Sequence, residues 1–266
     1  MQDPDGNPIG DSGVELMRIE GDYMDWLGWE TTSPNGQVGL DNYITEAGTI
    51  RLKARPPYDP VAGSTRLSQG SLDVTVTGTS PSFVLAPSSP VVTLTRPNVE
   101  GRVLAGSNPV PWTGVQVQMW NEEFDGWRWV DIHTNSDRNG EYYLSLAPGR
   151  YRLEAQAPDD STSYTSGYIE VVVAANGNVS TVNGVAHSSG PIDISLRSPN
   201  VVGIVLAPGN PSATPAPNVG IQFEKWDDQR GYFQWVDKWA ETRADGTFGT
   251  FLDAGRYRVT ARPRQT

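Results

Sequence analysis

Cysteine is absent from this 266-residue chain, so no disulfide supports its folds and no thiol carries chemistry. Each core must hold by packing alone. Histidine is nearly absent as well. His133 and His187 are the only two, and neither recurs where the sequence repeats, which argues against a histidine-based metal or catalytic site. Bases are outnumbered, 20 Lys and Arg against 31 Asp and Glu, giving a net charge of −11. That balance leaves no basic stripe to meet phosphates and excludes nucleic acid as a partner. No apolar run is long enough to cross a bilayer as a helix, so membrane insertion of that kind is not expected. A P-loop, a dinucleotide fingerprint and a nucleophile elbow are all missing. Carboxylate pairs such as Glu122-Glu123 and Asp227-Asp228 sit in turns between strands, which suits solvent exposure better than the enclosed setting a general acid needs. The expectation is a protein that is not an enzyme. Met1-Gln2-Asp3 lacks the basic and apolar regions of a signal peptide, so the chain reads as mature or cut from something longer.

What the chain does contain is repetition. Pro97-Asn98-Val99-Glu100-Gly101 returns as Pro199-Asn200-Val201-Val202-Gly203. Trp129-Val130-Asp131 returns as Trp235-Val236-Asp237, and Gly149-Arg150-Tyr151-Arg152 as Gly255-Arg256-Tyr257-Arg258. A diverged third copy comes first: Gly13-Val14-Glu15-Leu16-Met17 stands where Gly114-Val115-Gln116-Val117-Gln118 stands later. Asn35-Gly36, Asn139-Gly140 and Asp245-Gly246 also correspond. A spacing of about a hundred residues is far too long for a solenoid repeat and fits an array of whole domains. The expected boundaries are 1–96, 97–198 and 199–266, with the first strand missing from module one and the last strands from module three.

High Gly (28) and Pro (21) suit short strands joined by many turns, and no stretch keeps a capped 3.6-residue apolar period. In copy one, strands are expected at 14–19, 49–54, 72–76 and 91–94. In the middle copy they are expected at 98–104, 114–120, 127–134, 141–146, 150–156, 168–174 and 191–196. Asn139-Gly140 suggests that 127–134 and 141–146 pair directly as a hairpin. About seven strands per hundred residues is the complement of a two-sheet sandwich. The fold class is therefore all-β: three tandem Ig-like or transthyretin-like seven-strand sandwiches, the terminal ones incomplete. Tyr151 and Tyr257 are expected to bury their rings and bond a backbone carbonyl across a corner.

The run Asn98-Val99-Glu100-Gly101-Arg102-Val103, with Gly114-Val115-Gln116-Val117, Ser136-Asp137-Arg138-Asn139-Gly140 and Ala147-Pro148-Gly149-Arg150-Tyr151, resembles the carboxypeptidase regulatory-like, transthyretin-like β-sandwich family. It is similar, too, to the Cna-B-type stalk modules of bacterial surface proteins. The resemblance implies an extracellular or cell-surface spacer or adhesion module without catalysis of its own. It also implies a Lys–Asn isopeptide crosslink. Here the strand 114–120 has no Lys, and copy three offers Lys225 but no terminal Asn strand. Expected partners are copies of the chain itself end to end, or other surface proteins. Strand edges left open at the two ends would be completed either by adjoining sequence or by neighbouring chains.

Tryptophan is the one feature that points to a ligand. Nine occur, clustered at equivalent places: Trp120, Trp127 and Trp129 in copy two, Trp226, Trp235 and Trp239 in copy three. Strand alternation puts Trp127, Trp129 and Asp131 on one face, and Phe233, Trp235, Asp237 and Trp239 on another. Flat exposed rings beside carboxylates suit sugars, so glycans are the candidate ligand. Ladders of rings packed under Arg stems are the competing structural explanation. Cofactors are not expected. Loop acids leave Ca²⁺ open, although Asp137 to Gly140 lacks the further oxygen ligands of an EF-hand loop. The joints Thr95-Arg96-Pro97-Asn98 and Arg197-Ser198-Pro199-Asn200 are short, and proline restricts them, which favours a semi-rigid rod.

Overall fold

In this computed structural model, all residues are described except 22, 41, 58–65, 81, 158–162, 208–213 and 264–266, and the side chain of Asp237. The described residues contain strands and turns but no α-helix. The chain divides into two compact units. One holds Met1–Val103, Pro109–Leu153 and Ile169–Asp193; the other holds Leu104–Asn108, Glu154–Tyr168 and Ile194–Thr266.

The first copy supplies β1 (Gly13–Glu20), β2 (Tyr23–Thr31), β3 (Gly48–Arg55), β4 (Gly70–Thr79) and β5 (Ser82–Ala86). They form one antiparallel sheet in the order β2-β1-β3-β4-β5. Alternation turns Val14 and Leu16 of β1 inward with Ile50, Leu52 and Ala54 of β3 and Val74 and Val76 of β4. Residues 91–94 were expected as a strand, yet this segment makes only isolated bridges. Thr93 pairs with Gln2 in parallel, and Thr95 pairs with Ser68. Those bridges nonetheless bring Val92 and Leu94 onto the sheet as its cover.

The middle copy supplies β6 (Val99–Ala105), β7 (Asn108–Pro109), β8 (Gly114–Asn121), β9 (Gly126–Asn135), β10 (Glu141–Leu144), β11 (Gly149–Ala155), β12 (Gly167–Val173), β13 (Val179–Val182), β14 (Val185–Ala186) and β15 (Ile194–Leu196). The seven expected strands all appear, and the short β7 and the β13–β14 hairpin are additional. One sheet runs β14-β13-β12-β11-β8-β9; β10 pairs with β6 in another. Val99, Val103, Val115, Val117, Leu144 and Leu153 fill the space between, each fully buried. Tyr142 is buried among them, and its hydroxyl donates to Ile192 O at 2.5 Å.

The third copy supplies β16 (Val201–Ile204), β17 (Leu206–Ala207), β18 (Thr214–Pro215), β19 (Val219–Asp227), β20 (Tyr232–Glu241), β21 (Thr247–Thr250) and β22 (Tyr257–Pro263). Its sheets are β20-β19-β22, β16-β21 and β17-β18. Among the described residues, Val219, Ile221, Phe223 and Leu252 make its buried apolar core, with Val201, Val205, Val236 and Phe248 half-buried against it. Val259 stands where Leu153 stands in the middle copy, yet it is 50 % exposed where Leu153 is 0 %. β11 has β12 beside it, whereas among the described residues β22 pairs with β19 alone. Tyr257 makes the expected corner bond, its hydroxyl donating to Asp253 O at 3.0 Å. Tyr151 is buried with its ring over Gly149.

The Asn139-Gly140 hairpin does not form: β9 pairs with β8, and β10 with β6. Asp137 is the physical reason. Its Oδ1 accepts from Asn139 N and Glu141 N, and its backbone N donates to Glu141 O. The chain is thereby turned through a corner from one sheet to the other. Gly140, at φ +75°, donates back to Asp137 O. The same corner recurs at Gly36 and Gly246, with φ of +74° and +73°.

Four residues before each of these glycines lies a buried hydroxyl: Thr32, Ser136 and Thr242. Each accepts from the backbone N–H of Ser12, Thr113 or Val219 and donates to the carbonyl of Ile9, Val110 or Ala216. One side chain thus satisfies two backbone groups inside a dry core. Ser136→Ala is expected to lower stability by about 1–3 kcal/mol, because both groups lose their partner; urea unfolding measures it.

Candidate functional site

The aromatic-rich strands β2, β9 and β20 are all edge strands of their sheets. Each carries a register shift against its partner, at Leu16/Met17, Gln116/Gln118 and Gln222/Glu224. In β9 the shift falls between Trp129 and His133, so Trp127 and Trp129 keep their alternation while Asp131 lies within the bulge, and the three have different surroundings.

Trp127 is half-buried. It meets Trp120 edge-on, with centroids 5.3 Å apart, and lies beneath Arg150 at 5.1 Å and Arg152 at 4.5 Å. Glu170 holds both guanidinium groups at 2.9 Å. Copy three repeats the stack: Trp226 meets Phe233 at 5.1 Å, with Arg256 over both rings and Arg258 over Phe233. Trp127 and Phe233 therefore serve as rungs of Arg–aromatic ladders. Trp129, Trp235 and Trp239 are the rings left 49 to 63 % exposed. The side chain of Asp237 lies outside the described residues. We expect Trp127→Ala to cost about 2–3 kcal/mol of stability, and Trp129→Ala less than about 0.5. Thermal melts of the two variants make the comparison.

Asp131 is engaged elsewhere. Its Oδ1 and its backbone carbonyl accept from Lys53 Nζ at 2.5 and 2.9 Å, and the Lys53 side chain is only 3 % exposed. Ser145 N donates to Ser68 Oγ at 2.9 Å, and Arg66 approaches Glu100 and Glu141. These contacts bind the first copy to the second within one compact unit.

Beside them opens a cleft of about 600 Å³. Trp29 on β2, Arg55 at the end of β3, Arg66, Gln69, His133 on β9 and Tyr143 on β10 line its walls. Burial, helped by the charges of Arg55 and Lys53, holds the His133 imidazole below its ordinary value of 6.5, against weaker opposing effects of Glu15 and Asp131. His133 is therefore neutral at pH 7. Carboxylates are held low as well. The Arg51 hydrogen bond depresses Asp73, and at Glu170 burial pushes upward but the bonds from Arg150 and Arg152 prevail.

All these groups bind protons more weakly when folded than when unfolded, so they stabilise the fold above their unfolded values and lose that contribution as pH falls. Melting temperature should decline first as pH drops below 6.5, through His133, and again below the ordinary 4.5 of Glu and 3.8 of Asp. His133→Gln should remove the first decline and keep the second.

Among the described residues, no group of three or more His, Cys, Asp or Glu side chains gathers to hold a metal. The sequence pointed to the Trp strands and missed both the Lys53–Asp131 pair and the cleft. Each assembles residues from copies one and two, which correspondence between copies does not reveal.

No protein-family model and no curated protein matches the chain. Among solved structures it is similar to the shaft pilin SpaA from Lactobacillus rhamnosus GG, at 10 % identity and TM-score 0.25, covering 73 % of this chain and 87 % of that one. It is also similar to the C-terminal fragment of the pilus adhesin SpaC from the same organism, at 15 % identity and TM-score 0.25, covering 74 % and 94 %.

Proposed function

We propose that this chain is a non-catalytic structural and adhesive segment of a secreted or cell-surface protein, built from three β-sandwich repeats at 1–96, 97–198 and 199–266. The observation that carries this reading is the side-chain joint between the first two repeats. Lys53 is buried against Asp131, and Ser68 and Arg66 reach the second copy beside it. A buried ammonium held by its partner resists hinging, because opening the joint would expose Lys53 without a compensating carboxylate. That stiffness suits a stalk that holds something away from a surface. The edge of β22 that no described strand covers, with Val259 exposed, is where an added strand would continue the sheet, and end-to-end assembly would use it.

The absence of cysteine makes the test clean. Spin labels placed through Thr77→Cys and Glu122→Cys, one exposed site in each of the first two copies, should give a single narrow distance distribution. A broad distribution would refute the stiff joint. Light scattering of the whole chain over a concentration series tests end-to-end growth, which Val259→Arg should suppress.

A second reading is favoured by the exposure of Trp129, Trp235 and Trp239 on edge strands: these rings form sugar-binding surfaces. A glycan array probed with the triple Trp→Ala variant separates the two readings, since the spacer role does not need these rings.

A further inference from the structure

Copies one and two close the same strand edge with the same device. In copy one Arg51 of β3 lies directly opposite Asp73 of β4, and hydrogen bonds of 2.7 and 2.8 Å join them. In copy two Arg150 and Arg152, on one face of β11, both donate to Glu170 of β12 at 2.9 Å. The acids stand in matching runs, Gly70-Ser71-Leu72-Asp73-Val74-Thr75-Val76 and Gly167-Tyr168-Ile169-Glu170-Val171-Val172-Val173. Alternation turns each acid to the outer face, while Val74 and Val76, or Ile169, Val171 and Val173, are buried. Copy one has Thr49 where copy two has Arg150, so the shorter Asp73 meets one arginine and the longer Glu170 meets two.

Copy three keeps the basic half of this device. Arg256, just before β22, and Arg258 within it stand where Arg150 and Arg152 stand. Both are exposed, and their guanidinium groups lie over Trp226 and Phe233. Arg258 reaches Glu224 at 3.4 Å, and among the described residues no carboxylate pairs with Arg256. The inward side is equally uncovered. Val259 is 50 % exposed and Ala261 is exposed, where Leu153 and Ala155 are fully buried. An open strand edge with an apolar face on one side and two cations on the other selects what fits it. A neutral strand would leave the cations unmatched, and a basic one would be repelled.

The register follows from copy one, where Leu72 pairs with Leu52, Asp73 with Arg51 and Val74 with Ile50. In copy three the residues at those β3 positions are Val259, Arg258 and Tyr257. We infer that the open edge of β22 binds an extended strand of another polypeptide, with glutamate opposite Arg258 and leucine, isoleucine or valine on either side of it, covering Val259 and Tyr257. Glutamate is preferred to aspartate because Arg256 accompanies Arg258, as Arg150 accompanies Arg152. β4 and β12 of a second folded copy cannot serve, since both edges of each are already paired. The inference rests on the β22 edge named above and adds the chemistry of its occupant.

The test titrates the whole ¹⁵N-labelled chain with a short peptide that has the sequence of residues 68–77 and glutamate in place of Asp73. Versions with aspartate, glutamine or lysine at that place are the controls. Amides of β22 should shift saturably with the glutamate peptide, and those of the edge strands β2, β9 and β20 should not. Glutamine should weaken binding about fivefold and lysine about tenfold, with aspartate between glutamate and glutamine. Arg258→Glu should abolish the preference for glutamate over lysine. No saturable shift in β22, shifts at the other edges only, or equal affinity for all the peptides would each overturn the inference. Should Arg258→Glu fail to fold, the peptide series against the unaltered chain decides the matter alone. If β22 amides respond to the chain's own concentration and show no peptide preference, a second copy is the occupant; the inference then falls and end-to-end assembly stands. Glutamate-selective binding without growth in light scattering leaves the inference standing and removes end-to-end assembly.

Discussion

Asp131→Ala should destabilise the protein by about 3 kcal/mol, while Lys53→Met should be nearly neutral or slightly stabilising. The asymmetry follows from where each group sits. Lys53 is 3 % exposed, so removing its carboxylate partner strands an ammonium in a dry joint with only the Asp131 carbonyl left to meet it. Asp131 is 38 % exposed, so removing the lysine frees a carboxylate that water readily solvates. Methionine fills the lysine stem's space with apolar volume and demands no partner. Partial exposure of Asp131 places its loss at the lower end of the range for broken buried pairs. Urea unfolding of both single variants and the double variant measures the coupling. Equal losses from the two single substitutions would refute the description of Lys53 as the buried member.

Phe223→Ala is expected to cost about 3–5 kcal/mol and to unfold the third copy before the others. Phe223 is fully buried and packs against Phe248 at 6.5 Å between centroids. Among the described residues its core holds three other buried apolar side chains, so little remains to close over the cavity. By contrast, Leu144 and Leu153 in the middle copy sit in a much larger buried set, and a single truncation there leaves most packing in place. Hydrogen exchange resolved by residue is the measurement. Amides of β19 should lose protection while those of β1 and β8 keep it; uniform loss along the chain would show that the copies unfold together.

Most of the architecture was legible in the residues. Period-two patterns such as Gly-Val-Gln-Val-Gln and Tyr-Arg-Leu-Glu-Ala led directly to β8 and β11. The Asn139-Gly140 turn was located, but its partners were misjudged. The deciding contact is the Asp137 carboxylate gripping two backbone N–H groups, and a hairpin dipeptide carries no record of it. The buried hydroxyls of Thr32, Ser136 and Thr242 do have a signature, a Ser or Thr four residues before each turn glycine. Of the candidate residues, Trp127 and Phe233 proved to be ladder rungs, Asp131 an ion-pair partner, and Trp129, Trp235 and Trp239 open rings. The Arg–aromatic ladders were foreseeable from Gly-Arg-Tyr-Arg beside a Trp-rich strand. The cleft was not, because its lining comes from segments far apart in the chain.

The shifted registers of β2, β9 and β20 have a consequence for how such a chain reaches its native state. Tandem copies with similar strands are prone to exchange partners during synthesis, one copy's edge zipping onto another's. A kinked border with bulky indoles projecting from it presents no straight ladder for a stray segment to copy. The irregularity that spoils regular pairing thus keeps three look-alike neighbours from tangling as they emerge.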